Sequence, residues 1–375
     1  MSAEPGRHFF LVQTSLQFIL AAALAEEARG SGARSTLAFL PDVLDPELFK
    51  RAADRWPDSP FERIVFLSPR KAPTRVAARK PSWSGLKRDM LEVLHQVRPT
   101  AVTVFNDKQD TSQLVLVEAA RHFPQALREC AEDGALAYTR FTYRQNSLYT
   151  QLRQRLRLGP GWHHVRVLGT HPLVQQFTAI RPQLLRAELR HRNVKSFPVQ
   201  RLATEPLRQL AGAFCALADF EASTLSSGAV LLIFSHSSYA RRNPHYVQLV
   251  RACVQRLQQQ SIPFFFKFHP RETEPEFAGV TATDLGRELP RAIPVECIFL
   301  LARELPLLVV AGMSTSLLTG GLLMPHARIA ALMHDSDSGD SWDAGLLQAL
   351  NIQPLHEASD LSACVDAWRE KTTHV

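Results

Sequence analysis

The chain has 375 residues, 43 Lys+Arg against 36 Asp+Glu, 45% hydrophobic and 21% charged residues. That length exceeds one small core and suits two domains of roughly 150–200 residues each, and the apolar share excludes a disordered chain. The net charge of +7 and a pI near 9.4 point to an anionic partner, whether nucleotide, acidic glycan, phospholipid surface or nucleic acid.

Five cysteines (Cys130, Cys215, Cys253, Cys297 and Cys364) stand singly, with no Cys-x-x-Cys pair. This argues against a disulfide framework and a structural zinc, and for a reducing cytosol. The apolar run Phe9–Ala25 is interrupted by Gln13, Thr14, Ser15 and Gln17. A spanning helix needs about 20 largely apolar residues, so none is expected here, and the run lacks the pattern of a secretory signal.

In chain order, strand-like runs at His8–Val12, Ser35–Leu40, Arg63–Leu67 and Thr100–Phe105 alternate with helical stretches such as Leu86–Val97 and Thr111–His122. The pattern restarts after Gly228. Strands are expected at Val230–Phe234, Pro263–Phe268, Leu307–Val310 and Arg328–Met333, with an amphipathic helix at His245–Gln260 and another ending near Leu323. Strands separated by helices of ten or more residues indicate parallel sheets of β-α-β units. The stretch from about Gly159 to Gln200 shows no clean strand and, with a helix around Ala203–Glu221, reads as the passage between domains. The expected division is therefore residues 1–222, including a linker from about 159, and residues 223–375. In open parallel sheets ligands bind beyond the carboxyl ends of the strands, so functional residues should follow the strand-like runs.

Three clusters do so. Glu132-Asp133-Gly134 sets two adjacent carboxylates before a residue that tolerates positive φ. Neighbouring acids raise one another's pKa, which suits proton acceptance near neutral pH; as an isolated tripeptide it is also everyday turn chemistry. Phe264-Phe265-Phe266-Lys267-Phe268-His269-Pro270 ends a buried strand, and alternation puts Lys267 and His269 on one side. A cationic pair there suits a phosphate; a strand-capping His on a satisfied surface is the plain alternative. After the apolar Leu307–Val310, Ser314, Thr315 and Ser316 offer hydroxyls and helix N-terminal N–H groups to an anion, beyond what an ordinary N-cap requires. Ser235 and Ser237 hold the equivalent place after Val230–Phe234.

In this order the clusters resemble the bacterial sialyltransferases, most closely the capsule α-2,8-polysialyltransferase-type family, which carries an acidic pair plus Gly, then Lys-x-His-Pro, then a Ser/Thr-Ser motif. Ile293-Pro294-Val295-Glu296 also looks like the family's pattern. The match is best over residues 228–325 and visible around 100–140. The resemblance implies an α/β fold of two Rossmann-like domains facing a cleft, the glycosyltransferase B type. It implies transfer from a CMP-activated acid sugar such as CMP-sialic acid, with inversion, no metal and no cofactor. Carried over residue by residue, Glu132 matches the general base, His269 the group that meets the departing CMP phosphate, and Ser314, Thr315 and Ser316 the donor contacts. Asp133 and Gly134 would support the turn, Lys267 and Pro270 the histidine. Asp133 as base stays open.

Basic residues Arg70, Lys71, Arg75, Arg79, Lys80, Lys87 and Arg88 run without an acid until Asp89. They read as a track for an acidic or lipid-linked glycan, with Arg79, Lys80 and Trp83 as acceptor contacts, or as a solvated loop. A second run, Arg181 to Arg201, with Arg186, Arg190, Arg192 and Lys195, faces the inner membrane leaflet or solvent. The expected location is cytoplasmic, with peripheral association at the inner membrane. Other readings are transfer of another CMP-linked acid sugar such as Kdo, pseudaminic or legionaminic acid, a sugar-nucleotide epimerase, and a basic nucleic-acid-binding protein. The last lacks a recognisable module and has its aromatics in apolar strands, so no nucleic-acid partner is expected.

Overall fold

The computed structural model describes residues 5–40, 45–67, 83–225, 229–270, 285–305, 308–312, 314–333 and 344–372, with isolated positions at 272, 276, 277, 279, 280 and 342. It divides into two compact units, residues 1–209 and 210–375.

The first unit is built on a seven-stranded sheet: β1 (Arg7–Val12), β2 (Arg34–Phe39), β3 (Arg63–Phe66), β4 (Ala101–Val104), β5 (Leu127–Ala131), β6 (Gln176–Ala179) and β7 (Val194–Ser196). Their order is β3-β2-β1-β4-β5-β6-β7, and every pairing is parallel. Strands covered on both faces need nearly continuous apolar runs. Phe9–Val12 and Leu37–Phe39 supply them and are fully buried. The helix Ser15–Gly30 buries nine consecutive residues from Gln17 to Ala25 and is capped by the Thr14 hydroxyl, which accepts from Gln17 N–H. The apolar run near the start is thus half strand, half core helix. No helix among the described residues is long and apolar enough to cross a membrane.

The second unit carries six parallel strands: β8 (Val230–Ile233), β9 (Phe264–Lys267), β10 (Gly286–Glu288), β11 (Leu308–Ala311), β12 (Arg328–Leu332) and β13 (Ile352–Leu355), in the order β10-β9-β8-β11-β12-β13. Phe234, Phe266, Phe268 and Phe277 pack ring on ring, with centroids 5.1 to 6.0 Å apart where they touch Phe234. In each sheet the order reverses at one place, between β1 and β4 and between β8 and β11. There successive connections leave in opposite directions and open a crevice at the carboxyl edge.

Two expectations are corrected. Residues 159–200 are not a strandless passage: β6 and β7 lie within them and extend the first sheet by Phe177↔Val194 pairing. The division falls at Gln209, inside the helix Glu205–Leu217, and not at 222. The start of that helix is tied to the first unit, where Trp56 Nε1 donates to the Pro206 carbonyl (2.7 Å) and the Gln209 amide to Asp58 (2.9 Å). Cys215, near its end, lies in the electrostatic surroundings of Lys267 in the second unit.

Gly169 has φ +83°, and a Cβ there would come within 2.5 Å of the Phe177 ring on β6. Both the conformation and the space demand glycine. Gly169→Ala should lower stability by about 2–3 kcal/mol, read as a fall of several degrees in the thermal midpoint; an unchanged midpoint would show that the loop yields freely.

Candidate functional site

Beyond β5 the chain runs Glu132-Asp133-Gly134. Gly134 takes φ +86° and turns it into a short 3-10 helix, Ala135–Ala137. Glu132 is completely buried. Its Oε2 accepts from the Tyr138 hydroxyl and from the Ile180 N–H (2.6 Å), the residue just after β6. The Tyr138 oxygen in turn accepts from Arg181 N–H (3.0 Å). Oε1 has no hydrogen-bond partner among the described residues. Burial pushes the Glu132 carboxyl up to about 8, against the opposing pull of the Tyr138 and Ile180 hydrogen bonds and of the Arg181 charge.

Asp133 is half-buried and raised to about 7, again by burial, while the neighbouring amide side chains of Gln17 and Asn106 oppose the shift. Gln17 follows β1 and Asn106 follows β4, so Asp133 sits at the crevice where the sheet order reverses. Beneath it Asp107, fully buried, accepts from the N–H groups of Gly169 (2.9 Å) and His171 (2.8 Å). Tyr143 carries the Lys108 ammonium on its ring face at 3.6 Å. Sequence reasoning found the acidic pair but not Gln17, Asn106, Tyr138 or Arg181. Their only signal was position just after a strand or a turn.

In the second unit His269 and Pro270 follow β9, and both are half-buried. The His269 ring meets the His236 ring edge-on at 5.2 Å. His236 follows β8, the neighbouring strand. The two turns are joined by Glu272, 4% exposed: its carboxylate accepts from Ser237 N–H (2.8 Å) and its own N–H donates to the His269 carbonyl (2.8 Å). Arg291 donates to the Glu272 carbonyl (3.2 Å) and lies over the Phe268 ring. Glu272 and Arg291 were missed because they act through main-chain geometry, which residue type does not announce.

Across the reversal point, Ser235 after β8 lies against Gly312 after β11. A Cβ on Gly312 would come within 2.6 Å of the Ser235 Oγ and 2.9 Å of the Tyr246 ring. Tyr246 fixes the turn by accepting from Ser235 N–H at 3.0 Å. Ser314 is the N-cap of the helix Thr315–Leu323, yet its hydroxyl bonds the Ser316 hydroxyl and caps no backbone N–H. The predicted residues Ser235, Ser237, His269, Pro270, Ser314, Thr315 and Ser316 thus all lie at the carboxyl edge of one sheet.

Lys267 does not join them as a cation. It is 1% exposed, and its ammonium donates to the carbonyls of Pro290 (2.8 Å) and Arg291 (3.2 Å). Lys267 is the last residue of β9, whose four residues are all buried between the layers. It therefore holds the segment that carries Arg291, and the pairing with His269 read from alternation is corrected. Burial drives Lys267 down to about 7, opposed first by the charge of Glu296; Glu296 is itself buried and raised by that burial.

Of the acceptor-side expectations, Arg70, Lys71, Arg75, Arg79 and Lys80 and the Trp83 side chain lie outside the described residues. In the second basic run, Arg186 bonds Glu188 and the Phe141 carbonyl, Arg190 the Leu185 carbonyl, and Arg192 the carbonyls of Val174 and Thr170. These arginines stitch loops together, while Arg190 and Lys195 remain exposed. One His/Cys/Asp/Glu group among the described residues brings possible metal ligands together: His95, Glu118 and His122, within 4.8 Å of one another. It lies on the two helices flanking β4, near the amino edge of the sheet, opposite the carboxylates.

The family model for alpha-2,8-polysialyltransferase (POLYST) matches residues 8–332, and the chain belongs to that family. No curated protein matches the chain. Among solved structures, the UDP-GlcNAc 2-epimerase of Methanocaldococcus jannaschii is similar at TM-score 0.55 and 10% identity, over 96% of this chain and 92% of that one. The UDP-GlcNAc 2-epimerase of Neisseria meningitidis gives 0.51 and 9%, over 97% and 91%. Arabidopsis thaliana UGT89C1 complexed with quercetin gives 0.53 and 12%, over 97% and 90%. At such identities the likeness shows the fold, which is of the glycosyltransferase B type. Family and fold together make this chain a glycosyltransferase.

A buried lysine with a depressed pKa has a defined stability signature. The unfolded chain keeps this proton up to about 10.5 and the folded chain only to about 7, so folding is penalised below 7 and the penalty fades as pH rises from 7 to 10.5. Relative to Lys267→Met, the wild type should therefore gain stability in urea unfolding between pH 7 and pH 10. A difference independent of pH would contradict the buried, depressed ammonium.

Proposed function

We propose that this member of the polysialyltransferase family moves sialic acid, or a related nonulosonic acid, from a CMP-sugar to a bacterial surface glycan of the capsule or lipopolysaccharide kind. The acceptor is an acidic or lipid-linked glycan, met at the inner face of a membrane. The transfer inverts the anomeric centre and uses no metal.

The observation that carries the reading is the Glu132 carboxyl. Two donors hold Oε2, so in the neutral form the proton resides on Oε1 and in the ionised form Oε1 is the unsatisfied acceptor. A buried acceptor atom without a donor is costly, and an acceptor-sugar hydroxyl would satisfy it. Ionised, Oε1 takes that hydroxyl's proton as the oxygen attacks the anomeric carbon and the bond to CMP breaks. Its raised pKa keeps it a stronger base than an exposed carboxylate. The Arg181 charge beside it favours an anionic acceptor.

On the donor side, His269 meets the departing phosphate, with His236 edge-on behind it. Ser314, Ser316 and the first N–H groups of the helix Thr315–Leu323 receive phosphate or carboxylate oxygens, adding the positive end of the helix dipole. Ser235 and Ser237 line the adjoining turn. This set offsets phosphate charge without a cation.

A second assignment has its own support. Asp133 is the more exposed acid and lies beside the amide side chains of Gln17 and Asn106 at the reversal point, where ligands of open parallel sheets bind.

CMP release from CMP-sialic acid, with and without glycan acceptor, separates these roles. Glu132→Gln keeps an acceptor for Tyr138 and Ile180 and removes only the base. It should lose at least about 100-fold in kcat/KM, as should His269→Ala, while Asp133→Asn loses about tenfold. Wild-type kcat/KM should climb with pH through about 8 as Glu132 ionises, and the limb should vanish in Glu132→Gln. Near-normal turnover in Glu132→Gln with collapse in Asp133→Asn moves the base to Asp133; no CMP release with any acid-sugar donor refutes the transferase reading.

A further inference from the structure

The connection between β5 and β6 contains a helix, Leu148–Leu158, that is inside out. It is capped by the Ser147 hydroxyl, which accepts from Thr150 N–H, and is stopped by Gly159 at φ +97°. An ordinary surface helix buries its apolar stripe. Here Leu148 is 83% exposed, Tyr149 74%, Leu152 59% and Leu156 81%, and these are four of the six exposed large apolar side chains among the described residues. The side turned inward carries Gln151 and Gln154, half-buried, with Leu158 the one buried residue. Gln151 donates to the Asn146 carbonyl at 2.8 Å.

The outward side is ordered. At about 100° per residue, Leu148, Leu152, Leu156 and Tyr149 fill one continuous arc of about 100°. Arg153 and Arg157 lie along one margin of it, and Arg155 along the other. All three arginines are exposed. An apolar strip with arginines on both sides matches a bilayer interface, where the strip enters the acyl boundary and the guanidinium groups reach lipid phosphates. A protein partner or a second copy would not require cations on both margins.

We infer that the helix Leu148–Leu158 is a membrane-docking element that seats the first unit on an anionic bilayer, with Leu148, Tyr149, Leu152 and Leu156 inserted and Arg153 and Arg155 on headgroups. Arg157 also bonds Asp110 at 3.4 Å. Asp110 opens the helix that follows β4, so the element is moored at the carboxyl edge of the sheet, the edge that holds Glu132 and Asp133. Docking there would bring a lipid-linked acceptor to that edge. The inference rests on the membrane-surface part of the proposed function and not on its chemistry, so the two fail separately.

The test is co-sedimentation of the full chain with vesicles of phosphatidylcholine containing phosphatidylglycerol, against phosphatidylcholine alone. The wild type should partition onto the anionic vesicles without donor or acceptor present. The triple variant Leu148→Ser, Leu152→Ser, Leu156→Ser should bind at least about tenfold more weakly, with an unchanged thermal midpoint because the lost contacts are with solvent. Arg153→Glu with Arg155→Glu should abolish the preference for anionic lipid, and both variants should keep CMP release with a short soluble acceptor. Wild type that stays in the supernatant, or a triple variant that binds as well as wild type, overturns the inference. So does a wild type that self-associates in light scattering, ignores vesicles, and becomes monomeric in the triple variant; the strip then covers a second copy.

Discussion

Two donors on one oxygen of Glu132 and none on the other is the constraint around which the first unit is organised. A carboxyl group at zero exposure is tolerated only when its neighbours are fixed. The fixing comes from two places in the chain: the 3-10 turn that delivers Tyr138, and the two residues just after β6, where the Ile180 N–H meets Oε2 and the Arg181 N–H holds the tyrosine oxygen. Closing β5 against β6 is therefore also what aims Oε1. The folded state binds the Glu132 proton more tightly than the unfolded chain, so its ionisation costs stability as pH rises from the ordinary carboxylate range towards 8. That cost is the expected companion of a group kept reactive.

The second unit solves a different problem with the same edge. The anion site proposed there needs backbone and hydroxyl groups held still, and buried charges do the holding. Glu272 joins the turns after β8 and β9 through one carboxylate contact and one amide contact, while Lys267 anchors the 290–291 segment from below. Gly312 lets the turns after β8 and β11 approach to a distance no side chain would permit. The groups proposed to meet a ligand, His236, His269 and Ser314, are then the half-buried ones, with Ser316 buried beside Ser314.

Strand-helix alternation made the parallel sheets legible, because strands buried on both faces such as β1, β8 and β9 need nearly continuous apolar runs. It failed at β6 and β7. Gln176–Ala179 contains two polar residues, and Val194–Ser196 is a three-residue edge strand, so neither carries a periodic signal. The candidate residues just after strands were placed at the carboxyl edge for the same reason the strands were legible. Lys267 was misread because alternation assumes a solvent side, and β9 has none. The helix Leu148–Leu158 shows the converse limit: leucines four apart announce a stripe, but a sequence does not say which way it faces. Only burial shows that the polar side is the one packed against the protein.

The most direct measurement is a carbon-13-edited infrared titration of the full chain labelled at glutamate side-chain carboxyls, with Glu132→Gln to assign the signal. A protonated-carboxyl band that survives to about pH 8 in the wild type and is missing from the variant is the predicted result. If every glutamate has ionised by the ordinary carboxylate range, or if the late band keeps its full wild-type amplitude in Glu132→Gln and so belongs to another buried glutamate such as Glu296, the carboxyl is not held as described and its role as the proton acceptor fails with it.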